Sequence, residues 1–182
     1  MSAETPADSR LEKRRRRAEQ DVRLAHGALL QLVNRHRGEG WAAPLADGWS
    51  PAEILFHVLL VLEEALAELR LASAAGLPTH PPVPAARQLL EKKLVFLTWR
   101  LPRDLWPHPS TQPGGLILAP DEMARRSTAW AGGFIRFLRE NTPAYLAELR
   151  HAHSRLGPLS PFEWSRFTRI YIRFHDLRMQ ES

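Results

Sequence analysis

The stretch SPFEWSRFTRIYIRFHDLRMQ, Ser160–Gln180, decides the fold because it opens with a complete helix-start signal. Ser160 is a favourable N-cap, a proline occupies the first helical position, and Glu163 completes a capping box. Tyr171 and His175 follow at a spacing of four residues, which places them on one face of a helix. The stretch therefore predicts a closing helix that bears a polar pair at a defined height.

The same start signal occurs once more, in the segment WSPAEI. Ser50 is its N-cap, Glu53 closes its capping box, and His57 lies seven residues after the cap. Two firmly started helices thus each present an imidazole at a defined height. Together with Tyr171, these imidazoles are either a metal-binding constellation or polar residues of the core.

Length and composition are typical of one soluble globular domain: 182 residues, 44% apolar and 25% charged. The absence of cysteine excludes disulfides, thiolate catalysis and cysteine-ligated zinc, and we expect a cytoplasmic protein. No apolar run reaches the roughly 20 residues that a membrane-spanning helix needs, so we expect no membrane partner.

The basic run Lys13–Arg17 accounts for the whole net charge of +5. We expect residues 1–17 to form a basic tail that is disordered or frayed, and residues 18–182 to form the helical domain. The run is either a contact for phosphate or an acidic partner or a solvated helix start. Because the rest of the chain is balanced in charge, we do not expect a nucleic-acid surface built into the fold.

Helical periodicity and Gly/Pro punctuation predict four long helices, a shorter one and a short connecting helix. Their expected ranges are 18–37, 51–75, 85–99, 120–140, 143–150 and 160–180. Residues 101–120 are rich in proline and predict a long loop that caps the protein, anchored by Trp106 and Leu116. With no strand pattern of note, the sequence predicts an all-α four-helix bundle.

Glu64 and four further histidines are the other polar residues considered for the site. Glu64 lies on the same stripe of its helix as His57, where it either acts at the site or is a helix-surface residue. His151 and His153 precede a Gly-Pro loop, and we expect both to be exposed. His80 and His108 have proline neighbours, and we assign them no ligand role.

Three segments together resemble the DinB-like (YfiT-like) family of metal-dependent four-helix bundles. GWSPAEILFH, Gly48–His57, is similar to the family pattern W-S-x-x-E-x-x-x-H, and HSRLGPLSPFEW, His153–Trp164, is similar to H-P-x-x-G-x-L-S-x-x-E-W. In the closing helix many members have histidines seven and eleven residues after that tryptophan. Here those positions hold Tyr171 and His175.

The resemblance implies one divalent ion, zinc or nickel, held by His57 and His175, with Tyr171 in place of the middle histidine. It implies a hydrolase or thiol transferase that acts on an unidentified small molecule, with Tyr171 and Glu64 as catalytic residues. Because phenol has a pKa of about 10, Tyr171 is a poorer ligand than imidazole, and Glu64 would have to join to strengthen the site. The alternative is a metal-free, non-catalytic bundle that serves as a binding module or a homodimer.

Overall fold

The structure, a computed structural model, describes residues 6–46, 48–77, 84–102 and 111–181. Its helices are α1 (Pro6–His36), α2 (Pro51–Ala75), α3 (Ala86–Thr98), α4 (Pro120–Glu140), α5 (Pro143–Glu148) and α6 (Pro161–Glu181), and its strands are β1 (His151–His153) and β2 (Gly157–Leu159). This mainly helical content confirms the all-α fold class. None of the helices in the described ranges combines the length and the apolar character that crossing a bilayer requires.

The four long helices enclose the core. Helix α1 packs against α6 and α4, and α2 packs against the same two helices. Large apolar side chains from all four are fully buried at the centre, among them Leu29, Leu55, Phe134 and Phe167. Burial of each such side chain stabilises the fold by about 1.5–3 kcal/mol. The inward faces of α2 and α6, which contain the candidate site residues, therefore lie inside the core.

Both predicted capping boxes are confirmed. At α2, the Ser50 hydroxyl accepts the Glu53 N–H at 3.3 Å, and the Glu53 carboxylate accepts the Ser50 N–H at 2.9 Å. At α6, the corresponding distances between Ser160 and Glu163 are 3.3 Å and 2.8 Å. Each box satisfies two N–H groups that a helix end would otherwise leave without partners. The first residue of each helix, and hence the height of every later side chain, is set by these contacts.

Of the residues expected to form an N-terminal tail, 6–17 are helical and form the first part of α1, and 1–5 lie outside the described residues. The basic run is nevertheless helical, and three of its five side chains have partners among the described residues. Glu12 pairs with Arg15 at 2.8 Å and with Arg16 at 3.1 Å. Arg14 lies over an aromatic ring of α6, at 4.9 Å from its centroid. These contacts offset the like-charge repulsion that predicted a frayed tail.

The proline-rich loop is anchored differently from the prediction. Leu116 is 53% exposed, so its predicted role as an anchor is wrong, and Trp106 lies outside the described residues. The loop is held by its main chain instead. The Trp41 indole N–H donates to the Leu118 carbonyl at 2.8 Å, and Thr111 is buried against α2.

A small hairpin precedes α6, which the sequence did not predict. In the antiparallel pair, His151 lies opposite Leu159 and His153 lies opposite Gly157. Gly157 has a φ of +71°, a conformation that favours glycine. Strands of three residues are too short to produce a recognisable alternation, which explains why the pattern was missed.

The two adjacent glycines in α4 make a testable pair. A methyl group on Gly132 would meet nothing within 4 Å, whereas one on Gly133 would lie 3.1 Å from Arg70 Nη2 and 3.3 Å from Leu66 Cδ2, both on α2. We expect Gly132→Ala to stabilise the fold by about 0.5–1 kcal/mol, because alanine has the higher helix propensity. Gly133→Ala should stabilise the fold less, because its methyl group would crowd Arg70 and Leu66. Thermal or urea unfolding measures both, and a larger gain at Gly133 would contradict the packing described.

Candidate functional site

His57 lies on α2, is 1% exposed, and has both ring nitrogens in hydrogen bonds. Nδ1 is 2.7 Å from the main-chain oxygen of Thr111. A carbonyl oxygen only accepts, so Nδ1 bears the hydrogen and donates. This contact orients the ring and, in the neutral imidazole, leaves Nε2 with its lone pair directed toward α6.

Tyr171 on α6 supplies the partner for that lone pair. Its hydroxyl oxygen is 2.6 Å from His57 Nε2, and the O–H donates to the nitrogen. The phenol is itself 5% exposed, and its ring stacks on that of Phe167 at 5.5 Å. A continuous hydrogen-bond chain therefore runs from the Thr111 carbonyl through His57 to Tyr171.

His175 lies beside this chain without joining it. Its ring centroid is 5.3 Å from that of His57 and 4.7 Å from that of Tyr171. The side chain is 3% exposed, and within the described residues neither Nδ1 nor Nε2 has a hydrogen-bond partner. Native interiors seldom leave such groups unpaired, since each costs about 1–3 kcal/mol. His175 is therefore the side chain in this cluster best suited to hold a ligand.

The electrostatics of the cluster favour neutral side chains. Burial lowers the pKa of His57 and lowers that of His175 well below its usual value. The electrostatic interaction with His57 lowers the pKa of His175 further, and the positive charge of Arg178 lowers the pKa of both rings. Burial also raises the pKa of the Tyr171 phenol above its usual value. At neutral pH the site thus offers two uncharged imidazoles and one uncharged phenol.

Of the predicted site residues, His57, Tyr171 and His175 come together, whereas Glu64 does not join them. Glu64 is exposed, and the charge of its carboxylate acts on His151. Among the residues that the structure describes, no three His, Cys, Asp or Glu side chains are placed to share a metal ion. A metal site here would consist of two imidazoles and would need the oxygen of Tyr171 as a third ligand.

Two residues at the site were missed by sequence reasoning. Thr111 acts through its main-chain carbonyl, which gives no side-chain signal. Trp49 directly precedes the N-cap of α2 and places its ring edge-on to His57, at 5.6 Å between centroids. Its position directly before the N-cap was the only available hint.

His151 and His153 are half-buried, so the prediction that both are exposed is wrong. In a strand, residues two apart point to the same face, and both rings contact Trp164 of α6, at 5.7 Å and 5.5 Å between centroids. His153 Nδ1 also accepts the N–H groups of Arg155 and Leu156, each at 3.2 Å. Burial lowers the pKa of His153 to about 4.

We expect His153→Asn to reduce the acid sensitivity of the fold. Between pH 6.5 and about 4, the unfolded chain binds a proton at this position and the folded chain does not, so stability falls as the pH falls. Asparagine keeps an acceptor for the two N–H groups but does not titrate. Between pH 7 and pH 4, the free energy of unfolding of the variant should fall by about 1–3 kcal/mol less than that of the wild type, as measured by urea unfolding. Equal losses would show that His153 does not cause the acid sensitivity.

Comparisons of the chain with protein-family models, with curated proteins and with solved structures gave no match.

Proposed function

We propose that this protein is a four-helix bundle of the DinB-like type and a metal-dependent enzyme acting on a small molecule, by hydrolysis or by thiol transfer. The observation that supports this proposal best is the pair of buried, uncharged imidazoles on α2 and α6. His57 and His175 lie 5.3 Å apart between ring centroids, and both nitrogens of His175 lack a partner within the described residues.

The donor set fits a divalent ion of the zinc or nickel type. Neutral imidazole binds both ions readily at neutral pH, and these rings need not lose a proton first. His57 would bind through Nε2, since Nδ1 donates to the Thr111 carbonyl. A ligating histidine whose other nitrogen donates to a main-chain carbonyl is the usual arrangement in protein metal sites. His175 and the oxygen of Tyr171 would complete the set.

A bound ion of this kind supplies Lewis-acid activation of a water or a thiol. The protein itself orients the ligand side chains and excludes water from the site. The Thr111 carbonyl holds the ring of His57, and the apolar walls of the core exclude bulk water. Tyr171 would either bind the ion through its oxygen or, as a neutral hydroxyl released from His57, donate a hydrogen bond to a substrate oxygen. Glu64, exposed on α2, takes no part in this scheme.

The arrangement of the helices supports the fold part of the proposal. Helices α1, α2, α4 and α6 pack in the way a four-helix bundle does, each inserting apolar side chains into a common core. The capping boxes of α2 and α6 occur where the DinB-like patterns W-S-x-x-E and L-S-x-x-E place them.

A second candidate is a non-catalytic module without metal. The 2.6 Å hydrogen bond from Tyr171 satisfies His57 Nε2 with no ion present. Helix α3 also exposes a row of leucines, Leu90, Leu94 and Leu97, at 60%, 50% and 80% exposure. Such a row suits a dimer contact. Metal analysis and oligomeric state separate the two candidates.

We expect tag-free protein to bind a stoichiometric amount of zinc or nickel, and His57→Ala/His175→Ala to lose it. His26→Gln/His36→Gln is the matched control, because it removes two imidazoles of α1 that lie outside the cluster. Metal content is measured by mass spectrometry after dialysis against the ion. A folded wild type that binds no metal would contradict the enzyme proposal and favour the module.

Tyr171→His should tighten metal binding. Deprotonating a phenol of ordinary pKa, about 10, at pH 7 weakens it as a ligand by about a thousandfold, and burial, which raises the pKa of Tyr171, adds to that cost. A neutral imidazole avoids it. We expect at least a tenfold gain in affinity in competition with a chelating dye. Tyr171→Phe, which only removes the oxygen, should not gain. Unchanged or weaker binding by Tyr171→His would show that this position does not face the ion.

A further inference from the structure

A cavity of about 700 Å³ lies between the N-terminal half of α1, helix α3 and the first turns of α6. Its volume is in the range of sites that hold small organic ligands. It shares no lining residue with the His57 cluster. Five basic side chains line it: Arg14, Arg17, Lys92, Lys93 and Arg166.

The two carboxylates in the lining are already neutralised. Glu163 pairs with Lys92 at 2.7 Å, and Asp21 pairs with Arg169 at 2.6 Å. By contrast, neither Arg17 nor Lys93 forms an ion pair with any residue in the described part of the chain. The cavity therefore has an excess of positive charge, which attracts anions.

The guanidinium of Arg166 is held in a fixed orientation at the wall of the cavity. Its Nη2 donates to the Phe96 carbonyl at 2.5 Å, and its guanidinium lies over the Phe96 and Trp99 rings at 5.3 Å and 5.1 Å. The plane of the group is thus held in place. Its Nε is buried and has no hydrogen-bond partner among the described residues. A guanidinium only donates, so a ligand that suits a cavity lined by Arg166 presents an acceptor oxygen.

The remaining walls are apolar. Phe96, Leu97 and Phe162 line the cavity, and Arg14 lies over the Phe162 ring at 4.9 Å. Cationic groups beside aromatic rings suit a ligand with an anionic end and an apolar or aromatic body.

We propose that this cavity binds a small organic anion, in which a phosphate or carboxylate group is attached to an apolar or aromatic body. The planar fork of arginine matches both oxyanions, and Lys93 adds a point charge. Arg14 and Arg17 lie three residues apart on the α1 face that lines the cavity, which gives two of the five residues of the basic run a specific use.

Isothermal titration calorimetry with phenyl phosphate tests the proposal on the full-length protein. We expect saturable binding of phenyl phosphate, weaker binding of inorganic phosphate, and no measurable binding of phenol. The anion and the ring each contribute in this scheme, so both parts of the probe are needed. Absence of binding at millimolar phenyl phosphate would overturn the proposal.

Arg17→Gln/Lys93→Gln should weaken phenyl phosphate binding by at least about tenfold, because two charge-assisted contacts are removed. Both side chains are exposed, so the fold should be unaffected. Lys13→Gln/Arg16→Gln is the matched control: it makes the same change in net charge within the same run but outside the cavity lining. Equal losses in the two variants would mean general attraction to a basic protein and would overturn the site.

Discussion

The hydrogen-bond chain from the Thr111 carbonyl through His57 to Tyr171 is the constraint on which the site depends. It joins the proline-rich loop, α2 and α6 in the interior of the protein, where an unpaired polar group costs about 1–3 kcal/mol. Because Nδ1 donates to a carbonyl, the neutral ring has one orientation and one tautomer. Within the described part of the chain, the two nitrogens of His175 have no hydrogen-bond partner, whereas both nitrogens of His57 have one.

The position of the chain depends in turn on the two capping boxes. An α-helix advances about 100° per residue, so a shift of one residue in the start of α2 or α6 would turn His57 or Tyr171 out of the site. A favourable cap contributes about 1 kcal/mol, and both helices have the reciprocal form. The local signal at each helix start therefore sets the height of His57 and of Tyr171 along their helices, and the packing of α2 against α6 brings these residues, 114 positions apart, into contact.

The protein contains two regions that differ in electrostatic character, an uncharged cluster in the core and a basic cavity. Around His57 and His175, burial and the charge of Arg178 lower the pKa of both imidazoles, and the interior holds neutral ligands. Between α1, α3 and α6, basic side chains outnumber the carboxylates that could neutralise them. Neutral imidazoles suit a divalent ion such as zinc or nickel, and an unbalanced basic cavity suits an anion. The metal proposal and the anion proposal thus rest on separate observations.

The sequence by itself determined the bounds of α2 and α4 and the starts of α2 and α6, because caps, prolines and glycines act on their own neighbours. Cap spacing also set the heights of His57, Tyr171 and His175 along their helices, and the resemblance to the DinB-like patterns implied that the three would share one site. Only the tertiary structure decided the rest. Thr111 acts through its main chain, the contacts of Arg14 with α6 depend on a distant partner, and His151 and His153 share a face only because the chain pairs as a hairpin. Contacts between distant segments leave no local pattern, so they were decided by packing.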